Sequence, residues 1–179
     1  MKIFHTRKQF LAFFMPGFFL GIIYVNFIAK KYVAEPGIFS DYFLEQFVNM
    51  KIDVREYIFY LLRLRVLPLL VLAALSFTKV RKISAVLFLL WTGLSGGILI
   101  SSAAAGLGIK GSLLCITALF PQFLFYIPAY LILLWYCYEA PQNRWNRQKT
   151  VFIVLSMSVG LIMEAYVNPV IVKAFLSTL

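Results

Sequence analysis

The chain has 179 residues, of which 62% are hydrophobic and 17% aromatic, and 17 Lys and Arg against 7 Asp and Glu give a net charge of +10. With a mean hydropathy of +0.87 it lies outside the range of water-soluble domains. Its basic residues stand in short clusters beside apolar stretches, a pattern directed at anionic lipid that argues against nucleic acid as a partner.

A bilayer core of about 30 Å is crossed by about 20 helical residues, and five apolar stretches of that order follow one another. The first covers about 10–29. It is too long for the apolar core of a signal peptide, and Lys30 and Lys31 follow it with no small-residue cleavage site. Gly17 and Gly21 within it form a G-x-x-x-G. The segment 30–56 is then the one substantial stretch outside the bilayer. Pro36-Gly37 opens it as a turn, and Ser40 or Asp41 can cap a following helix. Phe39, Tyr42, Phe43, Phe47 and Met50 recur at helical spacing, with Asp41, Glu45 and Asn49 between them. This predicts an amphipathic helix lying in the outer interface. It would serve either as an elbow sealing the bundle edge or as a docking platform for an extracytoplasmic partner.

The second and third stretches, about 57–77 and 83–105, are joined by Lys79, Arg81 and Lys82. The third is rich in small residues, among them Gly93, Ser95, Gly96, Gly97, Ser101 and Ala103. Such faces let membrane helices approach closely, by default within one chain, and they also suit a homodimer. Gly106, Gly108 and Gly111 formally match a dinucleotide-binding G-x-G-x-x-G. No strand precedes them, however, and the next acid is Glu139, so the motif predicts a tight reversal instead. The fourth stretch, about 113–138, carries Pro121 and Pro128 roughly two turns apart on one face. Each removes a backbone donor and bends a helix. Gln122, Tyr126 and Ala129 share the neighbouring stripe. The fifth stretch, about 151–172, holds Glu164 and Asn168.

Charge sets direction. Lys2, Arg7 and Lys8 precede the first stretch, and Arg144, Arg147 and Lys149 join the fourth to the fifth, with Glu139 the one acid offsetting these clusters and the 79–82 connection. The positive-inside rule therefore predicts an all-α membrane protein with its N-terminus inside and its C-terminus outside, a single polytopic domain over 1–179.

Glu164 is the one acid well inside an apolar stretch. A carboxylate there should face the bundle interior and find a partner or a proton. Arg63 and Arg65 are its plausible counter-charges, Gln122 a plausible hydrogen-bond partner, and Asn168 lies one turn on. The cluster reads equally as a proton or substrate site and as a structural clamp. Cys115 and Cys137 lie roughly 33 Å apart along one helix and cannot bridge each other. The one histidine is His5, and H-E-x-x-H, G-x-S-x-G and Walker patterns are absent. The expectation is a non-enzymatic protein with no catalytic residues, no metal ligands and no cofactor.

Two segments resemble a known family. Phe120-Pro-Gln-Phe-Leu-Phe-Tyr-Ile-Pro-Ala-Tyr130 is similar to the Pro-polar and Pro-Ala stretch of the stage II sporulation protein M family, and Glu164-Ala-Tyr-Val-Asn-Pro-Val-Ile-Val-Lys173 to its C-terminal acid–aromatic–proline segment. Gln122 stands where many broader members carry a His-Gly pair, which favours the sporulation branch. The resemblance implies a scaffold in the bacterial cell membrane, at the sporulation septum, that recruits extracytoplasmic peptidoglycan hydrolases during engulfment. It implies structural or partner-contact roles for Pro121, Gln122, Pro128, Ala129, Glu164, Tyr166 and Pro169. Relatives outside sporulation stand beside transport ATPases or in antimicrobial-peptide clusters. They imply the alternative of a permease-like subunit, working with a cytoplasmic ABC-type ATPase in peptide export or immunity, which would dock on the basic connections at 79–82 and 144–149.

Overall fold

The computed structural model describes residues 2–28, 46, 53–139 and 145–177, and every regular element among them is helical. In chain order these are α1 (Lys2–Phe27), α2 (Val54–Ser76), α3 (Arg81–Glu139), α4 (Arg147–Ile162), a π-helical turn (Met163–Val167) and α5 (Asn168–Leu176). Four stretches are long and apolar enough to cross a membrane: Gln9–Phe27, Arg55–Ser76, Arg81–Glu139 and the run Arg147–Leu176. Their outer faces are apolar as well, with Leu70, Leu87 and Trp91 exposed by 60%, 60% and 70%. Apolar surface on that scale marks membrane or protein contact.

Local chemistry sets several boundaries. Asp53 caps α2, its side chain accepting the Arg55 N–H at 2.9 Å, and Glu56 in the first turn meets the positive end of the helix dipole. At the other end Ser76 and Thr78 donate their hydroxyls to the Ala73 and Leu75 carbonyls, each at 2.6 Å. The Leu75 carbonyl also accepts the Thr78 N–H at 3.0 Å, so the last turn closes on itself as the helix ends. Within the 59 residues of α3, Gly108 leaves helical geometry at φ 61°, ψ −138°. That combination is open essentially to glycine alone. The chain reverses locally at this point: a side chain at Gly111 would collide with the Ala103 carbonyl. The predicted reversal is present.

The chain forms two compact units. The first contains α1 and residues 86–118 of α3. The buried positions Phe10, Gly17, Gly21 and Val25 of α1 lie against a stripe of α3 formed by Leu89, Gly93, Gly97 and Ser101. A side chain at Gly17 would strike the Leu90 carbonyl, one at Gly21 the Leu94 carbonyl, and one at Gly93 or Gly97 the carbonyls of Phe14 and Phe18. Backbone thus meets backbone, the arrangement that gives membrane helices van der Waals contact without a hydrophobic drive. Asn26 Nδ2 closes one end of the seam by donating to Ser101 Oγ at 3.3 Å. Both small-residue faces are occupied by each other within the chain.

The second unit contains α2, residues 119–139 of α3, α4 and the π turn. Its interior is lined by Leu61, Leu69, Leu72 and Ser76 of α2, by Gln122, Tyr126, Ala129, Leu133 and Cys137 of α3, and by Ile153, Met157, Gly160 and Glu164. Each set advances by three or four residues, or by two turns from Leu61 to Leu69, one face of a helix. Cys115, in the first unit, and Cys137 are both free and buried.

Candidate functional site

Glu164 lies at 5% exposure in the second unit, on the π turn. There Asn168 N–H reaches back to the Met163 carbonyl, a wider turn than the α-helical one. Its cause is in the sequence. Pro169 has no N–H for the Ala165 carbonyl, and its ring would press on that oxygen in a regular helix. Widening the preceding turn relieves the conflict and turns Glu164 into the interior.

The carboxylate is held from two sides. Arg65 Nε donates to Oε1 and Oε2 at 3.2 and 3.0 Å, and Arg65 Nη2 donates to Oε1 at 2.5 Å. Tyr126 Oη donates to Oε2 at 2.8 Å. Three donors thus engage the two oxygens, the single Nε–H being shared between them. The guanidinium also lies 5.4 Å from the Phe123 ring centroid and 5.2 Å from that of Tyr126, inside cation–π range. Tyr130 Oη donates to the Arg65 carbonyl at 2.8 Å, beside Pro68, which leaves the Leu64 carbonyl without its helical donor. The result is a closed, charge-neutral knot of α2, α3 and the π turn. Chemically it can fix helix register and keep a buried carboxylate and guanidinium compensated.

Of the residues singled out in the sequence, Arg65 and Glu164 are brought together, while Arg63 is exposed. Gln122 is 1% exposed, one turn before Tyr126. Asn168 Oδ1 is buried and accepts no hydrogen bond among the described residues. Pro121 and Pro128 both lie inside α3, and Pro16 and Pro68 lie inside α1 and α2 in the same way. The predicted interfacial helix, with Phe39, Asp41, Tyr42, Phe43, Glu45 and Phe47, lies outside the described residues. Tyr126 and Tyr130, the Glu164 and Arg65 partners from α3, were not identified as such from the sequence. Their signal was a spacing of one turn on the stripe that also holds Gln122 and Ala129.

No family model, curated protein or solved structure matches the chain.

Proposed function

We propose that this is a multi-pass membrane protein with five spans, its N-terminus inside and its C-terminus outside, acting as a non-enzymatic scaffold. The arms of α3 on either side of Gly108 are the third and fourth spans. As the sporulation resemblance implies, its outer loop at 30–56 would hold an extracytoplasmic peptidoglycan hydrolase at the membrane. The observation that carries the scaffold reading is that both oxygens of the Glu164 carboxylate are engaged within the protein. A transport or proton site needs lone pairs or donors open to a substrate, whereas this one is filled by Arg65 and Tyr126. The test is recovery of partners with the tagged protein from its native host in stationary phase, in mild detergent. Wall hydrolases among the captured proteins support the scaffold. A nucleotide-binding ATPase in their place contradicts it.

One observation favours the second reading, a permease-like subunit. π turns occur often at functional positions, and this one carries Glu164 and precedes the unbonded Asn168 Oδ1. On that reading Glu164→Gln abolishes transport in a protein of normal abundance. On the scaffold reading it leaves partner recruitment intact.

A further inference from the structure

In the second unit three aromatic rings from three helix ends meet. Phe77 follows the end of α2, Tyr136 lies in the last turn of α3, and Trp145 precedes α4. Ring centroids are 6.1 Å apart for Phe77 and Tyr136, 6.3 Å for Phe77 and Trp145, and 4.9 Å for Tyr136 and Trp145. Trp145 Nε1 donates to Thr150 Oγ1 at 2.8 Å, which fixes the indole against α4. The cluster is not a sealed core: Phe77 is 69% exposed. Lys79, Lys82 and Arg147, all exposed, lie within a few residues of these rings along the chain. Glu139, at the end of α3, is the one acid in the same segments. At the start of α4 Asn146 makes no side-chain cap: its Nδ2 reaches Gln148 Oε1 at 3.5 Å, while its carbonyl accepts the Lys149 N–H at 3.0 Å. The positive end of the helix dipole lies here.

We propose that this aromatic cluster and its rim of Lys79, Lys82 and Arg147 form a binding site for the headgroup of an anionic phospholipid. The proposal rests on the reading of the chain as membrane-spanning. Charge complementarity selects the occupant. A phosphodiester held at the depth of a helix end meets cations and the positive end of the α4 dipole, while the rings take the glycerol and first methylenes, the depth at which Trp and Tyr settle in membranes. A zwitterionic headgroup supplies the same phosphate but carries a compensating ammonium, so the site discriminates by net charge.

The test uses the full chain with Trp91→Phe and Trp135→Phe, leaving Trp145 as the one tryptophan, excited selectively over tyrosine, in phosphatidylcholine vesicles. Phosphatidylglycerol with brominated chains is compared as quencher with brominated phosphatidylcholine. The expected result is quenching by the anionic lipid at about fivefold lower mole fraction. That preference falls to near unity in the Lys79→Gln, Lys82→Gln, Arg147→Gln variant, whose changes are all at exposed positions. Equal quenching by both lipids overturns the proposal, as does a preference that survives the triple variant. Reversal of the preference by millimolar inorganic phosphate also overturns it, since the site would then take a soluble anion. Quenching by neither brominated lipid contradicts the membrane-spanning reading itself and is thereby distinguishable from a lack of headgroup preference.

Discussion

Arg63 and Arg65 are separated by one residue on α2, yet Arg65 alone meets Glu164. The reason is register: Arg65 falls on the stripe Leu61, Leu69, Leu72 and Ser76, which is buried, while Arg63 points away with the exposed face. The sequence made a counter-charge for Glu164 foreseeable, because an acid in an apolar span needs one. It could not choose between the arginines, since α2 is apolar nearly all round and shows no contrast that marks its inner face. Removing one partner of a buried pair leaves an uncompensated charge, which costs about 3–5 kcal/mol. Arg65→Met and Glu164→Met are each predicted to lower stability in detergent by that order, and the double variant to be more stable than either single one. Denaturation curves of the four proteins check this. Losses that simply add would show that the contact contributes nothing to the fold.

Small residues decide how the elements meet. The glycine seam between α1 and α3 was legible as composition, but its register was not, because Gly93, Gly96 and Gly97 look alike in the sequence. In the structure a side chain at Gly93 or Gly97 strikes a backbone carbonyl, whereas at Gly96 its nearest neighbour is Phe18 Cδ2 at 3.9 Å. Gly93→Ala and Gly97→Ala are predicted to destabilise by about 1–3 kcal/mol through overpacking. Gly96→Ala should be neutral or stabilising by up to about 1 kcal/mol through helix propensity. Thermal unfolding midpoints in one detergent order the three; a Gly96 variant as damaged as the others would place the seam elsewhere. The reversal at Gly108 was readable because glycines cluster there. The π turn was not: Pro169 stands in plain view, but whether a helix answers a proline by kinking, ending or widening depends on its neighbours. Here the neighbours are Arg65 and Tyr126, which bond the carboxylate that the widened turn presents.

Across the whole molecule, the alternation of apolar stretches and basic breaks made an all-helical chain with helices long and apolar enough to cross a membrane legible in the sequence. The aromatic cluster at Phe77, Tyr136 and Trp145 was not, since it joins positions far apart in the chain. The proposed scaffold role would assign the outer loop to partner contact. Charge reversals at Asp41 and Glu45 are therefore predicted to reduce recruitment of a wall hydrolase while leaving the protein's own membrane abundance unchanged. Fluorescence imaging of a tagged partner measures this, and unchanged partner localisation removes the loop from the docking role. The scaffold and lipid-site proposals both depend on the five-span topology proposed for the chain. The most direct measurement is labelling by a membrane-impermeant maleimide in intact cells, with Cys115 and Cys137 replaced by Ala and single cysteines at Lys79, Lys110, Arg147 and Ser177. Five spans with the N-terminus inside predict labelling at 110 and 177 in intact cells, and at 79 and 147 only after permeabilisation. Labelling of 79 and 110 from the same side would contradict the account, since the arm of α3 between them would then fail to cross.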